Sequence, residues 1–345
     1  MAAARAHRKA AAAARLIPRV KGATDSPEMR LSRPLLQLPI RFDAAAIAQE
    51  VLALPASAWD PHPTGFVGNE AVRLVTPHGA LTDAVEGPMA PTAHLLRCPL
   101  IMGVMEALGG VWGRSRLMAL AAGAEVPAHV DAHYYWRTHW RIHVPLITNP
   151  GVVFTCGDDR AHMAEGECWI FDSFRWHDVQ NRGSERRIHL VLDTVGGERF
   201  AELLAAAEAG APASAEPLRV SCPDAAPLAF ERINSPTVMS PWEMRCHVAF
   251  LQEEALPDPG LAATLGRVHR FVDAWAAVWA RFGADDEGLP AYCRLLELAR
   301  RELVQMGGAR LLLRNELQLL MVLDQLVFQM ALAPPAPAPG QRPAP

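Results

Sequence analysis

The residues able to do chemistry gather between His129 and Asp193. His129 and Asp131 stand two apart in Pro127-Ala128-His129-Val130-Asp131, and His177 follows in Phe171-Asp172-Ser173-Phe174-Arg175-Trp176-His177. Two imidazoles and one carboxylate hold a metal on one face and leave positions open, which is the ligand set of a non-haem iron(II) centre that must activate oxygen. Alternate residues of a strand point the same way, so His129 and Asp131 can act together, and His177 near the start of a later strand can close the triad. A keto-acid co-substrate needs a cation for its distal carboxylate. Arg187, on the strand after His177, suits a guanidinium that grips a carboxylate with two hydrogen bonds. It shares side-chain parity with His189 and Asp193, while Ile188, Leu190 and Leu192 point to the other face. Arg141 and His143 share a face of another strand and could hold either the keto acid or the substrate.

Taken singly these pieces have plainer readings. His-x-Asp arises by chance, a lone strand arginine is ordinarily a surface charge, and His143 or His189 alone reads as a satisfied structural histidine. Order and spacing together raise the set above them.

The elements that must position this set read as follows. From Arg114 the pattern is of short strands near 115–121, 126–131, 139–148, 151–155, 167–171, 176–180 and 187–194. Asn149-Pro150-Gly151, Gly157-Asp158-Asp159, Glu165-Gly166-Glu167 and Asn181-Arg182-Gly183-Ser184 supply the turns. Many short strands with close turns indicate a sandwich or jelly roll, whose mouth can gather ligands from both ends. Before it, 35–40 and 69–76 suit strands. Asp43 is placed to cap a helix over 44–54, and 99–108 suits a second helix ending at Gly109-Gly110. Residues 211–239 are proline-rich and read as a linker. Ser240-Pro241-Trp242-Glu243 has the form of a capping box, and helical patterns follow over 260–282, 289–306 and 309–332. The expected division is a basic, alanine-rich leader over 1–30, a β domain over 31–210 with its catalytic core at 114–195, the linker, a helical region over 240–332, and a Pro/Ala-rich disordered tail over 333–345.

Composition bounds the function. The chain has 345 residues, is 50% hydrophobic and carries a net charge of -4, with a pI near 6.4. This disfavours a nucleic-acid partner. Arg314, Glu316 and Asp324 interrupt the most apolar stretch, so no membrane span is expected. Six scattered cysteines without a CxxC pair argue against structural zinc and for reduced thiols in the cytoplasm. Cys156 and Cys168 read as buried small hydrophobes. The scarcity of lysine, with only Lys9 and Lys21, looks like the coding bias of a GC-rich bacterial genome.

The central stretch resembles the aspartyl/asparaginyl β-hydroxylase family of 2-oxoglutarate-dependent oxygenases, which includes bacterial proline-hydroxylase-like members. The likeness rests on Pro127 to Asp131, Arg141-Ile142-His143, Gly166 to Phe174, His177-Asp178-Val179 and Arg187 to Asp193. It covers about 114–193, with a weaker likeness back to about residue 35. The resemblance implies a double-stranded β-helix, a cupin-like jelly roll, that binds iron(II) and 2-oxoglutarate and uses O2. His129 and His177 would take the metal-histidine positions, Arg187 the 2-oxoglutarate arginine, and Arg141 and His143 the Arg-x-His segment lining that pocket. Asp131 stands where animal aspartyl hydroxylases have glycine, which restores an ordinary facial triad, so their protein substrate does not carry over by the resemblance alone; the expected partner is a small-molecule amino acid or a peptide or protein side chain.

The expected activity is therefore hydroxylation of an amino acid or an Asp-, Asn- or Pro-like amino-acyl side chain, with release of succinate and CO2. His133, Tyr134, Tyr135, Trp136 and Arg137 are placed to line the mouth. Arg141, Arg160 and Arg175 suggest an anionic substrate, against the reading of Arg137, Arg160 and Arg175 as solvated loop residues. Two alternatives stand beside this: a cupin-type metal isomerase or hydrolase needing no keto-acid clamp, and a metal- or partner-binding module without turnover. The helical region is a candidate homodimer interface, lid or docking module.

Overall fold

The computed structural model describes residues 30–221 and 228–333. The strands in chain order are β1 (Leu35–Arg41), β2 (Asp60–Pro61), β3 (Asn69–Pro77), β4 (Met89–Pro91), β5 (Trp112–Leu120), β6 (Glu125–His129), β7 (Trp140–Ile147), β8 (Val152–Cys156), β9 (Asp159–Ala161), β10 (Glu167–Phe171), β11 (His177–Asn181) and β12 (Arg187–Thr194). The helices are α1 (Ala44–Leu52), α2 (Pro99–Leu108), α3 (Tyr134–Arg137), α4 (Glu198–Glu208), α5 (Pro241–Glu254), α6 (Leu261–Phe282), α7 (Leu289–Gln305) and α8 (Leu319–Leu323).

Two antiparallel sheets face one another as a jelly roll. The larger runs β1-β10-β7-β12-β5-β3-β2, with β4 beside β3, and the smaller runs β6-β11-β8-β9. Side-chain alternation decides what each face of the large sheet does. On β12, Ile188, Leu190 and Leu192 are buried under the helices; on β7, Ile142, Val144 and Leu146 join them; on β5, Leu117 and Ala119 do. Ile47 and Val51 of α1, Ile101, Val104 and Leu108 of α2, and Phe200 and Leu203 of α4 complete this layer. Each large apolar side chain so buried contributes about 1.5–3 kcal/mol. The opposite face turns towards the small sheet. Between the sheets, Leu35, Leu120 and Phe171 of the large sheet meet Phe154 and Val179 of the small one.

The helical region has its own core, built on Val248 and Leu251 of α5, Phe271 and Trp275 of α6, and Tyr292 and Leu296 of α7. The capping box at its start is formed: Ser240 Oγ accepts from Glu243 N at 3.2 Å, and the Glu243 carboxylate receives the Ser240 N–H. Asp43, by contrast, precedes α1 without a side-chain cap bond and lies 3.7 Å from Arg219 instead. The segment read as one helix over 309–332 is not one. A loop pairs Leu312 with Gln318, Glu316 takes a left-handed φ of 64°, and only α8 and a π-helical turn over Asp324–Phe328 follow. Its apolar run reflects burial: Leu319, Val322, Leu323, Leu326 and Val327 are all buried.

Sequence patterns gave no warning of α4 or of the short strands β2, β4 and β9. The expected leader and tail lie almost wholly outside the described residues. The stretch read as a linker has no helix or strand within its described residues, yet it is tied down. Leu218 bridges Phe42, Phe230 bridges Trp112, and Glu231, only 3% exposed, meets the Nε2 of buried His139 at 2.5 Å. Among the described residues no helix is long and apolar enough to cross a membrane. Replacing Glu231 by Ala strands the His139 ring, and should lower unfolding free energy by about 1–3 kcal/mol. A fall in the urea midpoint at unchanged slope would record it.

Candidate metal centre and pocket

The register of the small sheet brings the sequence-predicted ligands together. His129 at the end of β6 is the cross-strand partner of His177 at the start of β11, and their ring centroids are 4.2 Å apart. Asp131 lies just beyond β6, where its backbone N–H donates to Ser173 O at 3.0 Å and so joins the two ligand-bearing loops. The donor atoms of His129, Asp131 and His177 all lie within 4.8 Å of one another.

The histidine orientations follow from the backbone. His129 Nδ1 is 2.9 Å from Pro127 O, and His177 Nδ1 is 2.9 Å from Arg175 O. A carbonyl oxygen only accepts, so each Nδ1 carries the proton and donates it. Each Nε2 is left with its lone pair for a metal. His177 Nε2 stands 4.0 Å from Asp131 Oδ2. Burial lowers the His177 pKa to about 4, with Asp131 opposing the shift, so the ring is neutral, as a ligand must be. The donor set therefore fits a divalent metal of the kind bound by two imidazoles and one carboxylate.

A pocket of about 410 Å³ opens beside these ligands. Its floor is the polar face of the large sheet: Arg114, Arg116 and Met118 of β5, Arg187, Val191 and Asp193 of β12, and Arg141 and His143 of β7. Arg187 is 4% exposed, its Nε has no hydrogen-bond partner, and among the described residues it meets no carboxylate. Burial alone lowers its pKa to about 9, which still leaves it charged at neutral pH. An unpaired buried cation is costly, and an anion in the pocket would offset it. His143, held neutral by burial and then by Arg187, has its ring edge-on to His189.

Arg141 behaves differently from the expectation that it awaits a keto acid or substrate. Three of its N–H groups are already committed. Nη1 reaches Asp131 at 2.6 Å, while Nε and Nη2 reach Asp193, its cross-strand partner, at 2.9 and 3.2 Å. It steadies the Asp131 carboxylate and also lines the pocket.

Sequence reasoning missed Arg114, Arg116, His62 and Asp83 as pocket residues. The signal available was the i, i+2 spacing of Arg114 and Arg116 on a strand whose intervening residues are apolar or small. Among the described residues Arg114 makes no side-chain hydrogen bond; it pairs at 3.8 Å with Asp193, and it lies over Trp136 at 5.3 Å. Arg116 donates to Asp83 at 2.7 Å, and its buried Nε is unpartnered. Of the residues expected at the mouth, His133 and Trp136 are there, whereas Tyr134 and Tyr135 are buried in the cores. Arg137 is not a solvated loop residue: it is 8% exposed and its guanidinium lies 3.7 Å from the Phe250 ring centre. Arg160 is exposed on β9, and Arg175 is exposed and pairs with Asp172, so neither lines the pocket. Cys156, the cross-strand neighbour of His177, is a buried thiol raised to about 12 by burial and then by Asp172. Cys168 is buried and unpaired as well.

Jelly roll, donor set and pocket together make a candidate metal-dependent active site. Residues 84–196, about a third of the chain, match the family model for Aspartyl/Asparaginyl beta-hydroxylase. The resemblance read from the sequence is thus borne out over this region, and the chain is an enzyme of the oxygenase class. Among solved structures it is similar to a 2OG-Fe(II) oxygenase family oxidoreductase from Burkholderia pseudomallei (15% identity, 48% of this chain and 87% of that one, TM-score 0.33). It is also similar to a Pseudomonas putida prolyl-4-hydroxylase (14%, 47% and 92%, TM-score 0.33) and to a predicted oxalate decarboxylase from Thermotoga maritima (15%, 39% and 89%, TM-score 0.25). No curated protein matches the chain.

Asp193 yields a pH prediction. Burial works against its ionisation, but the charge and hydrogen bonds of Arg141 outweigh burial and hold its carboxyl below the ordinary 3.8. A depressed folded pKa gives stability that is fully present above 3.8 and is lost as pH falls through the lower folded value. Asp193→Asn should therefore cost stability at pH 7, and its deficit relative to the parent should shrink below about pH 4 in parallel denaturant titrations.

Proposed function

We propose that this chain is a 2-oxoglutarate- and iron(II)-dependent hydroxylase acting on an amino acid or an amino-acyl side chain, with release of succinate and CO2. The observation that carries the proposal is one pocket holding a His129/Asp131/His177 donor set and, beside it, the buried and unpaired cation of Arg187. In this reading His129, Asp131 and His177 hold iron. Arg187 grips the distal carboxylate of 2-oxoglutarate, and His143 lines the pocket on the same floor. Iron with 2-oxoglutarate and O2 would supply the oxidation of an unactivated C–H bond.

The chain's own part is orientation and exclusion. The Pro127 and Arg175 carbonyls aim the imidazoles, Arg141 fixes the Asp131 carboxylate, and Phe154, Phe171 and Val179 keep one side of the pocket dry. Arg114 and Arg116 offer unused N–H groups to an anionic part of the substrate, with Trp136 beside them. A carboxylate-bearing amino acid or acidic side chain suits that wall. The same proposal takes 31–210 as the oxygenase domain, 211–239 as a tethered connection and 240–332 as a helical domain.

The test is anaerobic. Iron(II) followed by 2-oxoglutarate should give the visible charge-transfer band of the chelate. His177→Ala should abolish it, and Arg187→Ala should weaken 2-oxoglutarate binding by at least about tenfold, the loss of a buried charge-assisted pair. Iron binding without a band would sink the hydroxylase and favour a cupin-type metal enzyme that needs no keto-acid clamp.

A further inference from the structure

The C-terminal helical region is more than an appendage to the pocket. Its core takes in Ala132 and Tyr134, which lie one and three residues after Asp131, and Phe174, three residues before His177. Both ligand-bearing loops are thus seated in the helical region, and one residue makes the most direct contact with the second of them. Asn315 Nδ2 donates to Phe174 O at 2.8 Å, and the Trp176 indole N–H donates back to Asn315 O at 2.8 Å. Between these two points lies Arg175, whose carbonyl orients His177 through Nδ1.

Asn315 is itself held. Its Oδ1 accepts from Leu317 N at 3.2 Å, Leu313 N donates to Leu317 O at 2.9 Å, and Arg314 N donates to Glu254 O at 2.8 Å. Leu311 and Leu313 anchor the loop in the helical core. The left-handed turn at Glu316, which a continuous helix would forbid, is what presents Asn315 outward. Leu317 and Met321 of the same segment then line a recess of about 460 Å³ with His129, Asp131 and Trp176.

We propose that Asn315 is a positioning residue for the metal centre: by clamping the 174–176 loop from both sides it fixes the carbonyl that aims His177, so the helical region acts as part of the metal site. This rests on the His129/Asp131/His177 reading of the donor set. A merely structural Asn315 would tie two parts of the chain together and change stability alone. A positioning Asn315 changes how well folded protein binds metal.

Cobalt(II) titrated into the full chain, followed by calorimetry and the visible ligand-field band, separates these. Asn315→Asp keeps an acceptor for Leu317 N but replaces the donor to Phe174 O with a charged acceptor; Trp176→Phe removes the indole donor without adding charge, and so separates loss of the clamp from the added charge. Tyr292→Phe, which removes a bond to Gly283 O elsewhere in the helical region, serves as the stability control. The expected result is cobalt(II) affinity about tenfold weaker for Asn315→Asp and lowered for Trp176→Phe, as for loss of groups that orient a metal ligand. Tyr292→Phe should melt earlier yet bind as the parent does. Parental affinity in both Asn315→Asp and Trp176→Phe would overturn the inference while leaving the donor set intact, and if Asn315→Asp does not fold, Trp176→Phe decides alone. A parent that binds no cobalt(II), or binds it as well with His177→Ala, would remove the donor-set reading and this inference with it.

Discussion

The polar pocket depends on the register of β12 between β5 and β7. Strand side chains alternate, so a one-residue slip would turn Ile188, Leu190 and Leu192 into the pocket and bury Arg187 and Asp193 under helices. The apolar face cannot move, because α1, α2 and α4 pack on it. That immobility is passed to the other face. Arg141 and Asp193 are opposite one another because Leu192 and Ile142 are. A site made of charges is thus fixed in place by groups that carry none.

Charge in the pocket is arranged in committed and uncommitted halves. Arg141 is spent on Asp131 and Asp193, and Arg116 partly on Asp83. Arg187 keeps its Nε unpartnered, and Arg114 has only a long ion pair, 3.8 Å to Asp193. Burying the committed set costs desolvation that its internal pairs offset; Arg187, with no such pair, leaves a deficit that an anion would offset. This division separates the groups that build the site from those that recognise something.

Much of this was legible in the chain. His129, Asp131 and His177 could be read because their chemistry is specific and strand parity is local, and the alternation of Arg187 with Ile188 and Leu190 named the correct face. What was not legible was non-local. Whether Arg141 is free or engaged depends on Asp193, which the sequence sets far away and only the β7–β12 register brings opposite. Arg137 looked like a solvated loop residue because Phe250, over which it lies, belongs to α5. The stretch over 309–332 looked like one helix because burial on every side erases the period that separates helix from loop; Glu316, Asn315 and the surrounding backbone bonds break it there.

Cys156 carries a consequence for durability. It sits across the small sheet from His177, in a centre read as one that handles oxygen. Thiolates, not thiols, bind metals tightly and are the first groups to be oxidised. Sealed from water, with its S–H directed at Asp172 O, Cys156 stays protonated throughout the physiological range. As a buried thiol it neither competes with the imidazoles as a soft ligand nor offers an exposed nucleophile, and the small sheet gains a compact apolar filler beside His177.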